Sequence, residues 1–147
     1  MIPYLLPPKH RLMKFVSDVF DFLGVHKSTV NIYLVDGRTM RNLNRKFRGI
    51  DKATDVLAFP YPEDFPFPQS KLRPLGDIYL NPIYIARNKE ALEYLLTHGL
   101  LHLLGFNHET KGDRIKMERL ERELLEAISV QPRPLSGKQK SYKHVNK

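Results

Sequence analysis

Three of the chain's six histidines lie in one short segment, at positions 98, 102 and 108. His98 and His102 are four residues apart, which on an α-helix is one turn along the axis and about 40° around it, so both imidazoles can reach one ion. Gly105 lets the chain leave the helix, and the turn that follows can bring His108 over the same face. Three neutral ring nitrogens with an open fourth position are typical of catalytic zinc. The spacing therefore predicts a metal site formed by His98, His102 and His108.

The spacing H-x-x-x-H-x-x-G-x-x-H is the ligand pattern of the metzincin zinc peptidases, but one part of that pattern is missing. Those enzymes keep a glutamate as general base directly after the first histidine, and this chain has Gly99 there. Zinc-bound water can still ionise near neutral pH, so hydrolysis remains feasible, whereas the peptidase mechanism loses its proton shuttle. Cleavage of a phosphodiester therefore fits better than cleavage of a peptide. Because glycine weakens a helix, Gly99 also suggests that backbone or substrate approaches closely there.

A basic segment precedes the histidines. It contains Arg38, Arg41, Arg45, Lys46, Arg48 and Lys52, with only Asp36 and Asp51 as acids. Cations beside a metal can stabilise the negative charge that develops on phosphorus oxygens during phosphodiester cleavage. A solvated helix face is the alternative interpretation for each of these side chains.

Apolar periodicity predicts the elements that position these residues. We expect helices at residues 9–23, after the capping residue Asp36, at about 90–104 and at about 113–128, and strands at 29–36, 54–59 and 76–81. Asn81 and Pro82 should cap and begin a helical segment that leads into the apolar helix at 90–104. Five prolines between residues 60 and 74 predict an extended loop. In the last helix we expect Ile115, Leu120, Leu124 and Ile128 on the buried face and the charges of "ERLERELLE" on the other.

Composition limits the class of protein. A chain of 147 residues with 41% hydrophobic residues is long enough for one domain with a core. The absence of cysteine excludes disulfides and thiolate metal ligands. Without a charged and apolar leader or a long apolar run, we expect a soluble, cytoplasmic protein that does not interact with membranes. The formal charge of +8 favours a polyanionic partner such as nucleic acid. Part of this charge lies in residues 131–147, which we interpret as a disordered basic tail after a domain at 1–130.

Several motifs together resemble one known family. "LNRKFRGIDKATDVLAFP", "LGDIYL" and "THGLLHLLGFNH", followed by Met117 and Glu118, are similar to the successive motifs of the YbeY family of bacterial endoribonucleases. The similarity extends from about residue 31 to residue 126. It implies a small α+β domain with a mixed sheet of about three to four strands, packed with helices around the metal-binding helix 90–104. It also implies one zinc ion per chain on His98, His102 and His108, with Arg48 beside it.

The resemblance implies a zinc-dependent, single-strand-specific endoribonuclease that acts in ribosomal RNA maturation and ribosome quality control. Its catalytic residues would be Arg48, His98, His102 and His108, and its RNA-binding residues Arg41, Arg45, Lys46, Arg48 and Lys52. Expected partners are ribosomal RNA, the ribosome, a small-subunit ribosomal protein and a ribosome-assembly GTPase. An alternative is a ribosome-associated assembly factor with a structural zinc and little intrinsic cleavage, which the missing glutamate supports. A metallopeptidase would need a carboxylate from elsewhere in the chain.

Three positions depart from the usual family pattern. Asn107 stands where aspartate is common, Ala53 where proline is usual, and Ala58 where serine is frequent. None of these changes removes a predicted metal ligand. Asn107 lacks the negative charge that an aspartate would place near the metal. Its side chain is expected to act in the turn rather than as a ligand.

Overall fold

The computed structural model describes residues 8–69 and 71–128. These residues form helices α1 (Lys9–Leu23), α2 (Gly37–Arg48), α3 (Pro82–Arg87), α4 (Leu92–Leu103) and α5 (Lys111–Ile128), and strands β1 (Ser28–Leu34), β2 (Val56–Pro60) and β3 (Arg73–Leu80). The prediction of a small α+β domain with a mixed sheet is confirmed. The predicted basic tail at residues 131–147 lies outside the described residues.

The sheet has three strands in the order β1-β3-β2. β3 pairs in parallel with β1 and antiparallel with β2, so the sheet is mixed and both β1 and β2 are edge strands. Side chains alternate between the two faces of a strand. Ile78 and Leu80 of β3 are fully buried on the inner face, whereas Asp77 and Tyr79 point to the opposite, outer face.

Helix α4 packs on the inner face of the sheet and forms the centre of the core. Its side chains are buried around nearly the whole helix, as its uniformly apolar sequence predicts. α1 and α5 pack against α4 and complete the core. The helix was expected at about 90–104 and is observed at Leu92–Leu103, because Lys89 has a positive φ of 53° that separates α3 from α4.

Helix α2 covers part of the outer face of the sheet. Its first turn is capped as predicted, since the carboxylate of Asp36 accepts a hydrogen bond from Thr39 N at 2.9 Å. Met40 of α2 and Leu57 of β2 are fully buried but do not belong to the core around α4. Leu57 pairs with Tyr79 and so lies on the outer face, where Phe47 of α2 contacts Phe59 of β2. The end of α2 also brings Arg48 to the β2 edge of the sheet, where it donates a hydrogen bond to Ala58 O.

Two expectations about element positions need correction. β3 begins at Arg73 rather than residue 76 and includes Pro74, which is accommodated because the β1 and β3 register shifts between Thr29 and Asn31. The buried row of α5 contains Met117 and Leu124, whereas Ile115 is 48% exposed, so its predicted burial was wrong.

None of the helices within residues 8–69 and 71–128 combines the length and the apolar content that a membrane crossing requires.

Gly76 of β3 lies between strand β2 and the carboxyl end of α4. A Cβ at this position would lie 2.4 Å from Phe59 O, 2.9 Å from Pro60 Cα and 2.7 Å from Leu103 Cδ2. Two of these atoms are backbone atoms of β2, so they cannot rotate away as a flexible side chain could. The close pairing of β2 and β3 next to the end of α4 therefore depends on a glycine here.

We predict that Gly76→Ala lowers the free energy of unfolding by at least about 2 kcal/mol, because the sheet must shift to admit the methyl group. The measurement is urea denaturation followed by circular dichroism. Gly37→Ala is the matched control, since a Cβ there meets nothing within 4 Å and residue 37 is the first residue of α2. Equal unfolding midpoints for the two variants would contradict the prediction.

Candidate metal centre

The three histidines of the predicted metal site meet at the carboxyl end of α4. His98 and His102 lie in its last two turns, and Gly105, with a φ of 101°, reverses the chain after the helix. The turn is closed by a hydrogen bond from Phe106 N to Leu101 O at 3.0 Å. His108 thereby returns over the helix, with its ring centroid 5.7 Å from that of His98 and 5.2 Å from that of His102. The predicted geometry is present.

The nitrogen atoms of this cluster are arranged to bind a cation. One ring nitrogen from each histidine lies within 4.8 Å of the others, so the group could hold a metal ion. The Nε2 atoms of His98 and His102 are 3.2 Å apart. His108 Nε2 is buried and has no hydrogen-bond partner among the described residues. A buried, unsatisfied ring nitrogen is costly unless a ligand satisfies it, so the cluster fits a metal bound by three imidazoles.

The protonation state of His102 also suits metal binding. Burial lowers the pKa of His102 to about 3, and the neighbouring His98, His108 and Arg48 side chains act in the same direction. The imidazole therefore stays neutral at physiological pH. Only the neutral imidazole has a free lone pair for a metal, so His102 can act as a ligand without first losing a proton.

Glu121 of α5 orients the first of the three rings. Its Oε2 lies 2.6 Å from His98 Nδ1, and its Oε1 accepts a hydrogen bond from the Tyr94 hydroxyl at 2.8 Å. Glu121 is only 1% exposed. When Nδ1–H donates to the carboxylate, the lone pair of His98 is on Nε2, which faces the cluster.

Glu121 was not among the predicted site residues, because the "ERLERELLE" charges of α5 were expected on the solvent face. A signal was present in the spacing. Glu121 lies four residues after Met117 and three before Leu124, and both of these apolar residues are buried. A single acid in the buried row of a helix requires a partner, and a buried histidine nearby is a suitable one.

Gly99 plays a different part from the one expected. It is buried in α4, and a Cβ there would lie 3.4 Å from Ile78 Cδ1. The neighbour is therefore a core side chain of β3, and the expectation that backbone or substrate approaches Gly99 was wrong. Position 99 faces the sheet.

Arg48 lies between α2 and the metal cluster. Its guanidinium is 5.8 Å from the centre of the Phe59 ring and donates a hydrogen bond to Ala58 O at 3.4 Å. Burial lowers the pKa of Arg48 from its usual value. Its charge also contributes to the low pKa of His102, so the two side chains are close enough to interact electrostatically. The structure thus places Arg48 within electrostatic range of His102.

The other basic residues predicted to bind RNA lie farther out, on or just after α2. Arg41 forms two hydrogen bonds with Asp51, at 2.7 and 3.1 Å, which offsets part of its charge. All of them are exposed, namely Arg41, Arg45, Lys46 and Lys52. They surround the C-terminal half of α2 and the segment after it, and their role in RNA binding stays a prediction.

Other polar residues near the motifs stabilise turns and strand ends. Asn107 Oδ1 accepts a hydrogen bond from Glu109 N at 3.0 Å, which confirms the expected turn role. Asp55 accepts one from Val56 N at 2.7 Å, at the start of β2. Asp77 accepts one from the Tyr61 hydroxyl at 2.6 Å, on the outer face of the sheet.

We predict that Glu121→Ala lowers the free energy of unfolding of the metal-free protein by about 3 kcal/mol, because His98 Nδ1 and the Tyr94 hydroxyl lose their buried acceptor. Urea denaturation in the presence of a chelator measures this effect. Glu118→Ala, at an exposed position of the same helix, should change the value by less than about 0.5 kcal/mol. A loss in Glu121→Ala as small as the loss in Glu118→Ala would show that the buried carboxylate does not stabilise the folded protein.

Comparison with known proteins agrees with this geometry. A family model described as endoribonuclease YbeY matches residues 8–129. Endoribonuclease YbeY of Chelativorans sp. (strain BNC1) is 36% identical over 115 residues, which cover 73% of this chain and 70% of that protein. Endoribonuclease YbeY of Cutibacterium acnes is 40% identical over 130 residues, covering 79% of this chain and 83% of that protein.

A solved structure shows the same fold. The solution structure of TM1509 from Thermotoga maritima matches with a TM-score of 0.51 and 26% sequence identity, over 91% of this chain and 96% of that chain. The match of the family model covers nearly all of the described residues, including the three histidines, Arg48 and Glu121. The chain therefore belongs to the YbeY endoribonuclease family.

Proposed function

We propose that this protein is a zinc-dependent, single-strand-specific endoribonuclease that acts in ribosomal RNA maturation and ribosome quality control. The observation that carries the proposal is the convergence of three imidazoles beside a half-buried arginine, at the end of the core helix. Relatives named endoribonuclease, which this chain matches over most of their length, support cleavage of RNA. The same comparison makes peptide cleavage a poor candidate.

His98, His102 and His108 would hold the metal. Zinc suits three neutral nitrogen ligands, and its usual tetrahedral coordination would leave one position for water or a phosphate oxygen. When bound, it would polarise the scissile phosphate or lower the pKa of a bound water. Glu121 keeps His98 in the required tautomer and orientation, and one ion per chain follows from one histidine cluster among the described residues.

Arg48 is proposed to bind the scissile phosphate. A guanidinium offers several donors in a fixed plane and stays charged, so it can hold two phosphate oxygens at once. Its stacking on Phe59 and its bond to Ala58 O hold it at the site before RNA arrives. A preorganised, partly desolvated cation stabilises developing negative charge more strongly than a mobile surface lysine.

The source of the proton for the leaving oxygen is not one of the clustered histidines. All three would use a ring nitrogen as a metal ligand, and the Nδ1 of His98 already contacts Glu121. A bound metal and a phosphate-binding cation would assist both attack by water and attack by the RNA 2′-hydroxyl. We keep both routes and propose solvent as the proton donor in each.

Ribosomal RNA and the ribosome are the proposed partners in the cytoplasm, together with a small-subunit ribosomal protein and a ribosome-assembly GTPase. The formal charge of +8 supports a polyanionic partner. The exposed cations around the C-terminal half of α2 would contact the RNA backbone on either side of the cleavage site.

A second candidate is an assembly factor in which the zinc is structural. Gly99 favours it, because the residue that supplies a general base in related metal sites is here a glycine that packs against Ile78. In this alternative the protein binds ribosomal RNA with little cleavage. Removal of the metal separates the two candidates, since a structural zinc contributes directly to folding and a catalytic one contributes less.

We predict that His102→Ala abolishes both stoichiometric zinc and cleavage of a defined single-stranded RNA, because two imidazoles cannot complete the site. Zinc is measured by elemental analysis, and cleavage by gel electrophoresis after chelation and zinc addition. His26→Ala removes an exposed histidine far from the motif in sequence and is the control. It should retain zinc and activity. Because all variants are purified identically, a contaminating nuclease would cleave RNA in every preparation, including that of His102→Ala.

Full zinc occupancy in His102→Ala would disprove the ligand assignment. Equal cleavage by both variants would disprove the nuclease assignment. If the chelated wild-type protein unfolds, or its melting temperature falls steeply, and the zinc-loaded protein binds RNA without cutting it, the assembly-factor candidate replaces the nuclease.

We predict that Arg48→Ala lowers kcat about a hundredfold while weakening RNA binding less than tenfold, because the guanidinium acts mainly on charge that develops during cleavage. Single-turnover cleavage and fluorescence anisotropy measure the two effects separately. Arg11→Ala removes the same charge from an exposed position of α1, outside the proposed RNA-binding residues, and should leave kcat within about twofold. Equal losses of binding and cleavage in Arg48→Ala would make Arg48 a docking contact only.

A further inference from the structure

Four aromatic rings form a continuous row on the outer face of the sheet. Tyr33 of β1 and Tyr79 of β3 are direct partners in the parallel register, and their rings are stacked with centroids 5.0 Å apart. Phe59 of β2 meets Tyr79 edge-on at 5.8 Å, and Phe47 of α2 meets Phe59 at 5.3 Å. We call these four residues the aromatic platform. It crosses all three strands of the sheet.

The platform is accessible rather than part of the core. Tyr33 is 44% exposed and Phe47 is 59% exposed, and Tyr79 and Phe59 between them are partly exposed. None of the four belongs to the buried core around α4. Contiguous exposed rings of this kind are uncommon on a soluble domain unless they bind something.

The platform ends beside the carboxyl end of α4, which carries the histidines. A Cβ on Gly76 would lie 2.4 Å from Phe59 O and 2.7 Å from Leu103 Cδ2, and Leu103 directly follows His102. The Arg48 guanidinium lies 5.8 Å from the centre of the Phe59 ring. Lys46 Nζ lies 5.4 Å from the centre of the Phe47 ring. A row of rings therefore leads to two cations and then to the histidines.

Negative charge is also present on this face, but it is engaged. Asp77 lies on the outer face of β3, where its carboxylate accepts hydrogen bonds from the Tyr61 hydroxyl and from Asn31 Nδ2. The end of the platform nearest the metal centre carries Arg48 and Lys46. The charge of the platform thus becomes more positive toward the site of cleavage, as a polyanionic strand requires.

We propose that the aromatic platform stacks the bases of single-stranded RNA and directs the backbone to Arg48 and the metal centre. This inference rests on the proposed function. Tyr33 and Tyr79 would bind bases away from the cut, and Phe47 would bind a base next to the scissile phosphate. Unpaired bases can stack on exposed rings of a sheet, whereas paired bases in a duplex hide their faces. The platform therefore supplies a physical reason for single-strand specificity.

The test measures binding of a fluorescent 2′-O-methyl RNA of about 12 nucleotides to the zinc-loaded protein, with gel analysis to show that the probe stays intact. Tyr33→Leu and Tyr79→Leu keep an apolar side chain but remove the ring, and each should weaken binding about tenfold. Tyr33→Phe should bind normally. Phe22→Leu is the matched control, because Phe22 is 46% exposed but lies on α1, outside the platform.

Salt dependence distinguishes stacking from charge. Loss of a stacking ring should lower affinity at every salt concentration without changing the slope of log affinity against log salt. Loss of a phosphate contact should reduce that slope by about 0.7 for single-stranded RNA. An altered slope in Tyr79→Leu would overturn the stacking role.

A fluorescent variant gives an independent readout that does not depend on loss of function. The chain has no tryptophan, so Tyr33→Trp creates a single reporter within the platform. Its emission should be quenched by the 2′-O-methyl RNA and much less by an abasic oligonucleotide with the same number of phosphates. Equal responses to both probes would overturn the proposal.

RNA binding and cleavage by the wild type distinguish failure of the stacking proposal from failure of the proposed function. If wild-type protein binds and cleaves RNA while Tyr33→Leu and Tyr79→Leu bind as tightly, only the platform is disproved, and the exposed rings then belong to a protein interface. If the zinc-loaded wild type binds no RNA at all, both proposals fail. Circular dichroism melting curves establish that each leucine variant is folded before binding is compared.

Discussion

The contact between His98 Nδ1 and Glu121 Oε2, at 2.6 Å, is the constraint on which the rest of the site depends. It joins α4 to α5 in the interior, and the same carboxylate receives the Tyr94 hydroxyl, so three polar groups satisfy one another away from water. Both oxygens of Glu121 are engaged, so the face of α5 that carries Glu121 points into the interior. The same face buries Met117, while Ile115 is exposed. One interaction therefore couples the orientation of a candidate metal ligand to the packing of a helix.

Helix α4 has to satisfy two requirements that usually conflict. Its apolar residues pack on the sheet and against α1 and α5, while its last two turns present polar imidazoles. The polar imidazoles lie at the carboxyl end of α4. There Gly105 and the following turn bring His108 beside His98 and His102, away from the apolar core. The apolar surroundings lower the pKa of His102, and the positive charge of Arg48 acts in the same direction, so the imidazole stays neutral. The packing of the core therefore helps to keep a candidate metal ligand in its neutral form.

Local patterns predicted the helices, the sheet and the histidine cluster well, because each depends on residues close in sequence. The Asp36 cap, the glycine after α1 and the spacing of the histidines all act within a few residues. The partners of Glu121 and the aromatic platform could not be found in this way. The spacing of Glu121 from Met117 and Leu124 indicates a buried acid, but it does not identify His98 of α4 as the partner. Tyr33 stacks on Tyr79 because strand order places β3 beside β1. Both pairings are tertiary, and periodicity does not reveal which elements pair.

The position of Arg48 shows how the edge of the sheet and the site are linked. β2 is an edge strand, and unpaired edges invite pairing with other chains. Here Asp55 accepts a bond from Val56 N, Arg48 donates to Ala58 O, and Pro60 has no N–H to leave unpaired. Because α2 ends at Arg48, with Gly49 in the left-handed conformation, the guanidinium can reach this edge. Arg48 thus covers part of the β2 edge and at the same time contacts the Phe59 ring of the aromatic platform, so one side chain links the edge of the sheet to its outer face.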